Sequence, residues 1–147
     1  MTKIIMKILY SSPTQDLLVF YKGDDVVAQL IEYCESNNIN SAWFQGLGAG
    51  SDIEFSYYDF KKKEYVKKQL HEDFEINNVT GNIAQLDGKL VTHCHISISN
   101  QEYQGMGGHV FNLTISGTLE LFLTKLPIEL KREFDEETGL NLLKSDH

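Results

Sequence analysis

Apolar and polar residues alternate along most of this chain, and one stretch departs from that rhythm. There Val26, Val27, Leu30, Ile31 and Cys34 recur at helical spacing, which predicts an amphipathic helix with one face on a sheet. Gly23-Asp24 opens this helix, with Asp24 as its N-cap and Asp25 favouring the positive end of the helix dipole. Ser36-Asn37-Asn38 ends it, because short polar side chains compete for backbone hydrogen bonds. Elsewhere the alternation predicts strands over residues 3–10, 17–21, 39–45, 53–58, 64–70, 73–76, 88–99 and 110–126. Gly46-Leu47-Gly48-Ala49-Gly50 reads as a tight turn. It lacks the Gly-Lys-Ser/Thr ending of a nucleotide-binding loop, and no helical pattern follows it. Gly117 marks a bulge or bend in the last strand, Pro127 closes that strand, and residues 129–137 read as a short exposed helix stopped near Gly139. The pattern describes an α/β domain of the α+β type: a strongly curved, mainly antiparallel sheet with one main helix packed on it.

Residues 1–147 read as one domain, with a core over about 17–126 and a polar tail over 127–147. No apolar run reaches a membrane span, and the amino terminus lacks the apolar core of a signal peptide. Two cysteines, Cys34 and Cys94, make no disulfide framework and fit a reducing, cytoplasmic setting. Thirteen basic residues against twenty-one acidic ones give a net charge of -8, and Arg132 is the single arginine. Duplex binding draws on phosphate neutralisation and on arginine, so direct DNA binding is not expected of this composition. The one basic stretch, Lys61 to Lys68 around Tyr65 and Val66, reads as an exposed loop and strand with a solvated turn.

The chemistry concentrates in the histidines. Three of five, His93, His95 and His109, fall within seventeen residues. His93 and His95 stand at i and i+2 of a predicted strand, so both leave one face, roughly 6.6 Å apart along it. Cys94 between them points to the other face. His109 follows Gly107-Gly108, a pair that lets the backbone approach a neighbour closely. Three neutral imidazoles on one divalent ion leave a coordination position open, as in reactive zinc sites. His71 and His147 read as surface residues.

Taken in order, Gly46-x-Gly48-Ala49, Tyr57-Tyr58-Asp59, Glu75-Ile76, Gly81-Asn82-Ile83, Gly88-Lys89-Leu90-x-x-His93-x-His95, Gly107-Gly108-His109 and Thr118-Leu119-Glu120 form a recognisable series. The series resembles the PPC domain, the plant-and-prokaryote conserved domain, in its stand-alone prokaryotic form. The likeness runs from about Leu17 to Leu126. It implies a curved antiparallel α/β fold, usually a homotrimer, with a metal site, most often for zinc, at His93, His95 and His109. No defined reaction comes with it. Plant members carry AT-hooks beside the domain; this sequence has no Arg-Gly-Arg-Pro core. A Gly-Arg-Phe-Glu-Ile-Leu element of the plant domain contacts transcription factors. The corresponding stretch, Glu72-Asp73-Phe74-Glu75-Ile76-Asn77, keeps Phe74, Glu75 and Ile76 but has Asp73 in place of the arginine, which counts against carrying that contact over.

Two functions follow as expectations. The first is a trimeric protein that binds a divalent metal, zinc by preference, through the three histidines, with a pocket for a small molecule. If that pocket is catalytic it needs a carboxylate to move protons. Glu75 and Glu120 are the candidates because they fall in the series; Glu102 is available by type, and Asn82 and Ser97 could orient a ligand. The alternative is a DNA-associated or transcription-related interaction module without an AT-hook. Trp43, Phe44, Phe55, Tyr57 and Tyr58 suit a buried sheet face or a subunit interface equally.

Overall fold

Residues 6–144, which the computed structural model describes, form nine strands and one helix, the helix lying where the helical spacing placed it. In chain order these are β1 (Lys7–Ser11), β2 (Gln15–Tyr21), α1 (Val26–Ser36), β3 (Ala42–Asp59), β4 (Glu64–Leu70), β5 (Phe74–Leu86), β6 (Lys89–Ser99), β7 (Gly105–Lys125), β8 (Arg132–Asp135) and β9 (Leu140–Leu143). Residues 3–5 of the expected first strand lie outside the described residues. Every pairing between these strands is antiparallel. Seven strands make one sheet in the order β1-β2-β7-β6-β5-β3-β4, and β3 also pairs with β7. The circuit β3–β5–β6–β7–β3 therefore closes on itself, the extreme of the expected curvature. β8 and β9 form a separate hairpin.

Helix α1 lays Val26, Leu30, Tyr33 and Cys34 into the core, beside Phe20, Phe44, Ile83, Leu119 and Leu121. Its N-cap is Asp25, whose side chain accepts from the Ala28 amide, and not Asp24 as expected. Asp24 is buried one step earlier, where it accepts from the Tyr21 amide at 2.7 Å and from Gln29 Nε2 at 3.0 Å, so it ties the loop to the helix. Buried Asp16 joins three elements by accepting from Ser11, from Tyr33 Oη and from Lys125 Nζ.

Three further segments depart from the pattern expected of them. Gly46 to Gly50 is no turn: β3 runs straight through it. A Cβ on Gly48 would lie 1.9 Å from the Thr118 carbonyl oxygen, so this glycine lets the paired strands β3 and β7 close up beside the bulge. The bulge at Gly117 is real, because Gly48 pairs with Leu119 while Gly50 pairs with Ile115. The segment expected as residues 73–76 extends to Leu86 and turns through Asp87-Gly88, both at positive φ, into β6. Residues 129–137 hold no helix: Arg132–Asp135 pairs with Leu140–Leu143, and Gly139 at φ +76° serves the hairpin turn. No helix among the described residues is long and apolar enough to cross a membrane.

Candidate metal centre

The alternation of β6 sorts its side chains. Cys94, Ile96 and Ile98 are buried, and His93, His95 and Ser97 leave the other face. Burial pushes the Cys94 thiol up to about 12, leaving it un-ionised and away from the imidazoles. Strand β7 lies beside β6 with His109 directly opposite His95, and on its other side pairs His109 with Ser56 of β3. Gly107 and Gly108 make that fit: a Cβ would fall 2.1 Å from the Ile96 oxygen at the first and 2.4 Å from the Ser56 oxygen at the second. Side chains at these two positions would push β7 off its neighbours and carry His109 away.

The three imidazoles converge. Their ring centroids stand 5.2 Å (His93–His95), 5.2 Å (His93–His109) and 5.7 Å (His95–His109) apart. One ring nitrogen from each lies within 4.8 Å of the other two. The face of His109 packs at 4.8 Å against Tyr65, and Phe111 meets it edge-on at 4.8 Å. Burial lowers His109 to about 4, and the neighbouring His93, His95 and Arg132 charges act the same way. His93 is also lowered, by burial first and then by Arg132 and His95. Both rings are thus neutral at pH 7, the state a metal ligand requires. Three imidazole nitrogen donors from two paired strands fit a first-row divalent ion.

Arg132 is the residue that sequence reasoning missed. The β8–β9 hairpin lies beside His93 and His109 and brings Arg132 Nη2 to 2.8 Å from Asn82 Oδ1 and 3.3 Å from His93 Nδ1. Asn82 itself sits opposite His93 across the β5–β6 pair. The hairpin is fastened further by Tyr58 Oη on the Thr138 carbonyl at 2.7 Å and by the Gln85 amide on the Leu130 carbonyl at 2.8 Å. The available signal was Leu140 and Leu142 at period two after a hairpin glycine. Against the hairpin lies a cavity of about 320 Å³ lined by His93, His109, Tyr65, Phe111 and Arg132 together with leucines of the hairpin.

The other candidates fall elsewhere. Glu75 is exposed on β5, opposite Ser99, and borders a different cavity with Tyr103. Glu120 is exposed on β7, opposite Val19 and Leu47. Neither lines the cavity of His93 and His109, and no carboxylate does among the described residues. Glu102 lies in the β6–β7 turn, beside Gln101. Ser97 shares the histidine face of β6 but stands opposite Gly107. His71 is exposed beside Asp52, and His147 lies outside the described residues.

A curved antiparallel sheet with one helix and a three-histidine cluster defines the class, and comparison with known proteins agrees. The model of the Plants and Prokaryotes Conserved (PCC) domain matches residues 11–127, and the chain belongs to this family. No curated protein matches its sequence. Among solved structures, a candidate DNA-binding protein from Ralstonia eutropha is 35% identical, with 92% of this chain and 94% of that one covered and a TM-score of 0.86. A metal-containing protein from Archaeoglobus fulgidus is 34% identical over 97% of this chain and 99% of that one, with a TM-score of 0.84. A plant- and prokaryote-conserved (PPC) protein from Pyrococcus horikoshii, 23% identical over 99% and 98%, shares the fold at a TM-score of 0.83.

Proposed function

We propose that this chain is a metal-binding protein that holds a divalent ion, zinc before others, through His93, His95 and His109, works as a homotrimer, and receives a small molecule in the adjoining cavity. The observation that carries the reading is the convergence of three imidazole nitrogens within 4.8 Å of one another. An all-imidazole set suits zinc, copper, iron or nickel, and zinc needs no redox partner. The similarity to a metal-containing archaeal protein supports it. Zinc held by His93, His95 and His109 would supply Lewis-acid chemistry at a further coordination position.

The surrounding residues have definable work. Tyr65 and Phe111 hold the ring of His109 in place, Asn82 holds Arg132, and the hairpin leucines give the cavity an apolar wall. Because no carboxylate among the described residues lines the cavity, the proposal is metal and ligand binding, with no proton transfer assigned to Glu75 or Glu120. Elemental analysis of protein purified without a histidine tag tests it. We expect about one zinc per chain, lost in both His93→Ala and His109→Ala, since each removes one of three ligands. A wild type that takes up no metal after incubation with zinc would sink the metalloprotein reading.

The second reading, a DNA-associated or transcription-related module, is favoured by the description of the Ralstonia protein. Its one candidate patch is the lysine stretch at the β3–β4 hairpin. Lys62 faces Glu64, Lys67 faces Glu54, and Lys63 donates to the Glu136 carbonyl, so much of that charge is already engaged. At a net charge of -8 this is the weaker reading.

A further inference from the structure

Arg132 lies on the histidine cavity with part of its donor capacity unused. Nη1 donates to the Asn141 carbonyl at 2.9 Å and Nη2 to Asn82 Oδ1 at 2.8 Å. Nη2 also stands 3.3 Å from His93 Nδ1, and among the described residues the enclosed Nε has no partner. An unpaired buried donor is costly, and the guanidinium keeps more charge and donor capacity than its protein partners answer. No carboxylate among the described residues lines the cavity to answer this cation. The remaining walls are mostly apolar, with Leu86, Val91, Phe111, Leu140 and Leu142 among them.

The structure assigns to this site a small monocarboxylate with an apolar body as its ligand, its carboxylate on Arg132 beside the histidines and its body against the hairpin leucines. Guanidinium N–H groups match a carboxylate in shape and charge. One arginine in a mostly apolar cleft suits a single negative charge; a phosphate dianion calls for several cations or a nest of backbone amides. A cavity of about 320 Å³ sits at the small end of ligand sites and takes a body the size of an aromatic ring. The inference rests on the metal reading for the histidines, while the part of Arg132 stands apart from it.

Isothermal titration calorimetry with benzoate, on zinc-loaded and on metal-free protein, tests this assignment. We expect benzoate to bind loaded wild type, and Arg132→Gln to weaken it about tenfold or more through loss of a charge-assisted contact. Arg132→Lys should recover part of the loss. Benzyl alcohol, the same body without charge, should bind far more weakly than benzoate. Because Arg132 also anchors the hairpin, Leu142→Glu is a second variant: it leaves Arg132 in place, sets a like charge at the cavity, and should also abolish benzoate binding. Benzoate affinity unchanged in Arg132→Gln or in Leu142→Glu would overturn the assignment, as would benzyl alcohol binding as tightly as benzoate. Inorganic phosphate preferred over benzoate would overturn it too. If zinc is never taken up, the metal reading fails alone and the metal-free titration decides. Benzoate binding that Arg132→Gln abolishes then keeps the carboxylate site, and no binding removes it.

Discussion

A single ring, His109, links packing to acid sensitivity. Its burial against Tyr65 and Phe111 holds it near 4 in the folded metal-free protein, whereas an unfolded chain releases it to about 6.5. On acidification the unfolded state takes up this proton first. The neutral ring costs nothing above about pH 6.5; below that stability falls with pH, and the loss is complete once pH passes below about 4. His93 is shifted in the same direction and adds to the slope. Urea unfolding of metal-free protein at pH 7.5, 5.5 and 4 should show the midpoint dropping. His109→Phe, which keeps an aromatic ring without a titrating nitrogen, should flatten that drop. Identical slopes for wild type and variant would show that His109 is not held neutral by the fold.

At the scale of the element, the close pairing of β3 with β7 shows both what the sequence makes legible and what it conceals. Periodicity places α1 and most strands because each apolar stripe is long enough to identify its period. It likewise places His93 and His95 on one face and Cys94 on the other. A glycine run carries no such sign: the same letters serve a turn and a close strand contact, and Gly46 to Gly50 proves to be the second. The hairpin that delivers Arg132 stayed hidden because Glu133, Asp135, Glu136 and Glu137 mask its period, and its docking partners lie far away in sequence. The close approach at Gly48 is testable by paired substitutions. Gly48→Ala sets a Cβ 1.9 Å from a backbone oxygen that cannot rotate away, and should cost about 2–3 kcal/mol. Gly117→Ala meets only the Ala49 Cβ at 3.5 Å, an ordinary contact, and should stay within about 0.5 kcal/mol of wild type. Thermal unfolding compares them directly, and equal losses would refute the close-approach account of Gly48.

For the whole molecule, the question is what covers the outer face of the β3–β7 pair. Trp43, Leu47 and Phe122 stand 46%, 57% and 57% exposed, and the β3–β7 register places Phe122 opposite Gln45, between Trp43 and Leu47. Three large apolar side chains side by side on a rigid sheet form the kind of patch that soluble chains bury in an assembly. This is the surface through which we expect the homotrimer to form, with closed cyclic symmetry that seals the patch on every chain. Light scattering on the purified protein should give three times the mass of one chain. Trp43→Glu combined with Phe122→Glu should shift it toward a single chain without altering its strand content by circular dichroism, because both side chains point away from the core. A monomeric wild type would remove the trimer from this account. A trimer indifferent to both glutamates would place its interface on another face and leave Trp43 and Phe122 open to water.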